Sequence, residues 1–288
     1  MTILVTGANG TVGRHVVDQL IKRGADIRVL VRDTNKAAFP AGVSVVQGDM
    51  LDIDSLRQAL DGVSTLFLLN AVSPDELTQA LLTLNAARAA GVDRVVYLSV
   101  IHSDGYVNVP HFAGKFAVER MLEQMGFGAT ILRPAYFMNN DLLIKDALLS
   151  YGVYPMPIGD QGIAMIDARD IGEVAALELL RRENAPEALP LTRISLVGPE
   201  TLSGEQVAGI WSDILGRTVA YGGDDTEGYE QNLRGFMPNW MAFDMRLMNE
   251  RFLTDGMRPE PGDLERLTEM LGRPLRTYRE FVTETVSA

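Results

Sequence analysis

The stretch Ile3-Leu4-Val5-Thr6-Gly7-Ala8-Asn9-Gly10-Thr11-Val12-Gly13 decides the fold. Its opening residues are too continuously apolar for a half-exposed strand, so residues 3–5 are expected to form a buried one. Its close begins a helical period, Val12, Val16, Val17, Leu20 and Ile21, which Gly24 stops. Three glycines stand at the junction. Gly7 suits a tight turn, Gly10 lets backbone approach an anion, and Gly13 lets helix and strand pack closely. The free N–H groups at Thr11, Val12 and their neighbours would then face a pyrophosphate at the helix N-terminus. Gly7, Asn9, Gly10, Thr11, Val12 and Gly13 are therefore candidate cofactor-binding residues. The alternative is a glycine turn that holds nothing.

Reading outward, residues 27–31, 43–46, 65–69, 94–98 and 129–132 form further apolar runs of strand length. Helical patterns over 54–60, 74–90 and 111–124 alternate with them. Ser73-Pro74-Asp75-Glu76 reads as a helix start, with Ser73 as cap and Glu76 closing a capping box. Such alternation predicts an α/β fold, a Rossmann-type doubly wound parallel sheet. Beyond Arg133 the rhythm weakens. Residues 167–182 read as a helix, 193–196 as a strand returning to the sheet, and Ser203 with Gln206 as a second capping box. From about 224 onward the chain looks mostly helical. The expected organisation is a nucleotide-binding lobe of residues 1–133 with 166–197. A smaller, mostly helical substrate or cap lobe takes 134–165 with 198–288.

Composition narrows the function classes. Twenty-six basic against 38 acidic side chains give a net charge of −12, which argues against nucleic-acid or anionic-membrane binding. No cysteine is present, which removes thiolate metal sites and cysteine nucleophiles; no metal is expected. No apolar run approaches a membrane span, and the start lacks a secretory pattern, so a cytoplasmic protein is expected.

The second strand runs into Val31-Arg32-Asp33, with Lys36 close behind. Arg32 offers a fork to a ribose 2′-phosphate and Lys36 a point charge, which suits NADP(H) in preference to NAD(H). Asp33 pulls the other way, since it could pair with Arg32 or take an NAD ribose. Asp49 and Asn70 follow the third and fourth strands, where such ligands bind. Asp49 is either an acceptor for the adenine amino group or a turn cap.

With these motifs in order, the sequence resembles the NmrA-like atypical branch of the short-chain dehydrogenase/reductase superfamily. The resemblance rests on TGANGTVG at 6–13, VRD at 31–33, QGD at 47–49, HFAGKFAVE at 111–119, LRPAYFMNN at 132–140 and IDARDIGEVA at 166–175. LVGPETLSGEQVAGI at 196–210 and LGR at 215–217 complete it. It implies NADPH-dependent quinone and dye reductases, or NADP-binding regulators without turnover. The parent superfamily's Tyr-x-x-x-Lys motif is met here by His111 and Lys115, with histidine replacing tyrosine. The resemblance implies that Lys115 keeps the nicotinamide ribose; the alternative is a solvent-facing helix lysine. His111 is either a hydrogen-bond donor to a substrate carbonyl or a helix-end residue bonding locally. Pro134 and Tyr136 border the expected nicotinamide end, and Tyr136 either supplies the missing phenol or packs. Met237, Met241, Met245 and Met248, with Trp240 and Phe243 among them, are core filler or a lid over a flat substrate.

Two functions stay open on these residues. One is an NADPH-dependent reductase of quinone- or dye-like aromatic or conjugated acceptors, which take hydride without a positioned tyrosine. The other is a non-catalytic NADP(H) sensor acting through a protein partner.

Overall fold

The computed structural model describes residues 1–287, except the side chain of Lys36. Seven strands form one sheet: β1 (Thr2–Val5), β2 (Asp26–Val31), β3 (Val43–Gln47), β4 (Val63–Leu68), β5 (Arg94–Leu98), β6 (Gly128–Pro134) and β8 (Thr192–Leu196), in the order 3-2-1-4-5-6-8. The short β7 (Val153–Tyr154) pairs outside it with β9 (Ala220–Tyr221). Every pairing from β3 through β6 is parallel. This is the Rossmann-type sheet that the strand–helix alternation predicts, and the returning strand at its edge is β8.

The crossovers are α1 (Thr11–Lys22), α2 (Ile53–Leu60), α3 (Glu76–Ala89), α4 (Pro110–Gln124) and α5 (Ala168–Glu183). Alternation along the strands divides the sheet's two faces. Leu66, Leu68, Val95, Tyr97, Ala129 and Ile131 pack with Leu56 and Leu60 of α2, Leu84 of α3 and Leu122 of α4. Each fully buried leucine there contributes about 1.5–3 kcal/mol. Strand residues of opposite parity face α5 instead. The Thr65 hydroxyl donates to Glu183 at 2.5 Å and the Thr130 hydroxyl to Glu178 at 2.7 Å. Buried Arg182 donates to the carbonyls of Leu189 and Pro190.

Two helix starts read from sequence come out differently. Ser203 and Gln206 do form a reciprocal capping box at the start of α6 (Gly204–Leu215). The Ser73 box does not form. α3 begins at Glu76, with Asp75 as its cap residue, and the Ser73 hydroxyl donates to the Asp75 carboxylate at 2.6 Å. Glu76 is taken by a distant lysine, described below.

The chain divides into two compact units. The first comprises residues 1–100, 114–133 and 168–194; the second comprises 101–113, 134–167 and 195–288. Residues 101–113 group with the second because their side chains are held there. Tyr106 donates to the Gly256 carbonyl, and His102 lies 3.3 Å from the Arg258 carbonyl. The second unit also holds α7 (Thr226–Leu233), α8 (Asn239–Thr254), α9 (Asp263–Leu271) and α10 (Tyr278–Ser287).

The second unit has a polar centre. Asp141 is buried and accepts from the Tyr136 hydroxyl at 3.1 Å and from the Tyr278 hydroxyl. The Trp211 indole donates to the Tyr278 oxygen at 2.9 Å. Burial raises the Asp141 carboxyl to about 7, against the pull of its phenol donors. The folded pKa lies above the unfolded one, so this contribution to stability is full below about pH 4 and is lost as pH rises through about 7. Asp141→Asn is therefore expected to flatten the fall in stability between pH 4 and 7. Urea unfolding of both proteins across that range checks it; parallel curves would contradict it.

Candidate cofactor site

The first unit gathers the carboxyl ends of β1 to β4. Thr6, buried at the end of β1, accepts from the Leu69 N–H at 2.8 Å and donates to the Leu69 carbonyl at 2.9 Å. The glycine turn is thus pinned to the end of β4. Gly7 has φ +64°, the left-handed region, and a side chain there would meet Leu69 at 2.8 Å. A Cβ on Gly13 would lie 2.1 Å from the Gly7 carbonyl oxygen and 2.8 Å from the Ala8 Cα. Only glycine lets α1 start this close to the turn.

α1 begins after Gly10 with no side-chain cap and no acidic residue in its first turn. Its leading N–H groups, at Thr11, Val12 and Gly13, consequently have no partner within the helix. Asn9, Gly10 and Thr11 are exposed at the loop tip, while Val12 and Gly13 are buried. Asn70, just past β4, is buried, with its Nδ2 3.7 Å from the Met50 sulfur. Its Oδ1 is buried without a partner. An open helix start, a turn that only glycine permits and an orphaned buried amide oxygen are what a dinucleotide's phosphates and ribose would fill. The residues present fit such a group.

At the end of β2 the two candidates separate. Asp33 caps the turn 34–36, its carboxylate accepting from the Asn35 N–H at 3.0 Å. Arg32 is exposed, and its carbonyl accepts from the Gln47 amide at 3.2 Å. The guanidinium also helps hold the Asp75 carboxyl below its usual range, after the larger effects of hydrogen bonds from Ser73 and Gln79. Lys36, the other proposed phosphate contact, has a side chain outside the described residues. Asp49 spends one carboxylate oxygen on the Leu51 N–H at 2.8 Å, the turn-cap role.

Lys115 is not a solvent-facing helix lysine. It is buried on α4, its ammonium 2.5 Å from the buried Glu76 carboxylate. Glu76 has no local signal that marks it as this counter-ion, because its sequence context reads as a helix cap. Ser99, at the end of β5, donates to the fully buried Glu119 at 2.6 Å.

The remaining candidates lie in the second unit. His111 opens α4 one turn before Lys115, and its Nδ1 is 2.7 Å from the Asp244 carboxylate of α8. The partner is thus 133 residues away rather than local. Sequence reading missed Asp244, a buried acid within an otherwise ordinary helix. Pro134 is buried at the end of β6, its carbonyl accepting from the Ile101 N–H at 3.0 Å. The Tyr136 phenol is committed to Asp141, and burial holds its pKa well above the ordinary value. That is the packing alternative, and it corrects the reading of Tyr136 as a replacement proton donor. The methionine stripe is core filler only in part. Met248 is buried, but Met237, Met241 and Met245 are only partly so, and Trp240 and Phe243 are 39% and 43% exposed.

Sheet order and crossovers define a Rossmann-type α/β protein. The chain belongs to the NmrA-like family, whose model matches residues 1–280. An NAD(P)H azoreductase from Xenophilus azovorans is 32% identical over 291 residues, which cover 99% of this chain and 98% of that one. A (4-alkanoyl-5-oxo-2,5-dihydrofuran-3-yl)methyl phosphate reductase from Streptomyces griseus is 31% identical over 299 residues, with 99% and 98% covered. The crystal structure of an NADPH-dependent quinone oxidoreductase from Escherichia coli, complexed with NADPH, matches with a TM-score of 0.87 at 27% identity, covering 99% of each chain. Among the described residues no helix is long and apolar enough to cross a membrane, and no group of three or more His, Cys, Asp or Glu side chains could hold a metal ion.

Proposed function

We propose that this protein is an NADPH-dependent reductase of electron-poor conjugated acceptors such as quinones and azo dyes. The observation that carries the reading is the glycine cradle with its open helix start, on a chain whose full-length relatives include an NAD(P)H azoreductase and an NADPH-dependent quinone oxidoreductase. A bound reduced nicotinamide supplies the hydride. The chain's part is to hold and orient. Thr11, Val12 and Gly13 offer N–H groups to the pyrophosphate, the Asn70 Oδ1 accepts from a ribose hydroxyl, and Lys115 holds the nicotinamide ribose beside Glu76. Electron-poor acceptors suit a site whose Tyr-x-x-x-Lys position carries His111, because they need no positioned phenol to take hydride. The partly exposed Trp240 and Met241 of α8 offer such flat molecules an apolar surface, one turn before Asp244.

The preference for NADP(H) over NAD(H) rests on Arg32, since Asp33 already caps a turn. Arg32→Ala is expected to lose about 1.5–3 kcal/mol of NADPH affinity, the worth of a hydrogen bond to a charged group. NADH binding should not change. Titration calorimetry with both cofactors checks this, and equal losses for the two would contradict the assignment.

The reading as a whole is tested by NADPH oxidation at 340 nm with quinones, azo dyes and conjugated enones. Turnover with at least one class is expected. Tight NADPH binding with no turnover for any acceptor would favour the sensor instead.

A further inference from the structure

The pairing of His111 with Asp244 decides which ring nitrogen of His111 can meet another molecule. A carboxylate can only accept, so the ring nitrogen 2.7 Å from Asp244 Oδ2, Nδ1, must carry the hydrogen. Asp244 is buried, and its other oxygen, Oδ1, is buried without a partner. The carboxylate therefore cannot exchange the imidazole for water, and losing it would leave both oxygens unsatisfied. The ring is also held by its neighbours. Phe112 meets it edge-on at 4.6 Å between centroids and stacks on Tyr106 at 5.7 Å. Tyr106 is in turn tied to the Gly256 carbonyl.

We infer that Asp244 is a positioning residue that locks His111 as the Nδ1–H tautomer and so makes Nε2 the nitrogen presented to the acceptor. This rests on the reductase reading above. In the neutral ring Nε2 then carries a lone pair and accepts a hydrogen bond, whereas the phenol of the parent motif donates one. A neutral His111 therefore cannot donate to a substrate carbonyl, the role that the sequence alone left open for it. The pairing favours acceptors that themselves offer an O–H or N–H next to the reducible group, such as hydroxyl-bearing quinones or hydrazone-type azo compounds. Trp240 and Met241 lie one turn before Asp244 on α8, so the helix that orients the imidazole also carries the apolar surface proposed for a flat ring.

The chain has only three histidines, so long-range proton–nitrogen correlation spectra of the labelled protein resolve each ring, with His111→Gln assigning the signal. At a pH where the spectrum shows a neutral ring, His111 is expected to have a protonated Nδ1 and a bare Nε2 without any added cofactor. Asp244→Leu should lose that signature and slow reduction of a hydroxyl-bearing quinone by about tenfold, the worth of one hydrogen bond, with KM for NADPH unchanged. The double variant should be no slower than His111→Gln alone, since Asp244 acts through His111. A protonated Nε2 in the wild type, an unchanged signature in Asp244→Leu, or additive losses in the double variant would each overturn the inference. If Asp244→Leu does not fold, the wild-type spectrum still decides. Absence of wild-type turnover with every acceptor would instead overturn the reductase reading, which the tautomer measurement does not depend on.

Discussion

Replacing Gly13 by alanine is expected to weaken NADPH binding by about 100-fold, roughly 2.7 kcal/mol, and to destabilise the protein as well. The added Cβ would lie 2.1 Å from the Gly7 oxygen, 2.7 Å from the Gly7 carbonyl carbon and 2.8 Å from the Ala8 Cα. All three are backbone atoms, so no side chain can rotate away. α1 must retreat from the turn, and the N–H groups of its first turn retreat with it. Overpacking of this kind costs about 1–3 kcal/mol of stability, and contact with fixed backbone belongs at the upper end. Gly209→Ala in α6 is the control. Its Cβ would meet nothing within 4 Å, and alanine in a helix is favoured over glycine by up to about 1 kcal/mol. The same substitution should thus have opposite signs at the two positions. Thermal unfolding and titration calorimetry check both. Unaltered NADPH affinity in Gly13→Ala would mean that this turn is not the phosphate cradle.

Lys115→Met should be the most destabilising of the charge deletions. The ammonium and the Glu76 carboxylate are only 10% and 11% exposed and lie 2.5 Å apart. Deleting the cation leaves a buried carboxylate without compensation, a change that costs about 3–5 kcal/mol. Lys115→Met with Glu76→Gln removes both charges and is expected to recover most of that loss. The pair therefore couples strongly in a double-mutant cycle read by urea unfolding. Cofactor affinity should not recover in the double variant, because the group proposed to hold the ribose is still missing. A loss below about 1 kcal/mol for Lys115→Met would show the pair behaving as an exposed one, solvated well enough to make the partner dispensable.

These two positions also show how far the sequence could be read. Gly7 and Gly10 sit between β1 and α1 and Gly13 in the first turn of α1, where their spacing places them, because a junction between consecutive elements is a local matter. The buried strands were legible for the same reason: Leu66, Leu68, Val95 and Ile131 stand in continuous apolar runs. Charged groups with distant partners were not legible. Glu76 stands in a stretch that reads as a capping box, yet its carboxylate goes to a lysine 39 residues on. Asp244 and Asp141 look like solvent-facing acids of ordinary segments. Their burial depends on His111 in one case and on Tyr278, 137 residues away, in the other. The same holds for α5, whose helical period was plain while the burial of Glu178, Arg182 and Glu183 was not. Residues 138–151 had no readable period because they form 3-10 and π turns rather than one regular helix.

The local acids give the opposite lesson. Asp33 reads from sequence as a partner for Arg32 or an NAD ribose, and Asp49 as an adenine contact or a turn cap; in the structure each accepts from a backbone N–H two residues on. Short-range bonds of this type are what aspartate most readily makes in a turn. They leave Arg32 as the distinguishing residue at the end of β2.

Hydride transfer is tested most directly by a single-turnover reaction with NADPH deuterated at the transferred C4 position and a cationic triarylmethane dye that takes hydride at carbon. One deuterium is expected on the dye's central carbon, with loss of the 340 nm band. An unlabelled reduced dye, or tight NADPH binding with no reduction of this or any other electron-poor acceptor, would contradict direct hydride transfer from the cradle of Gly7, Gly10 and Gly13.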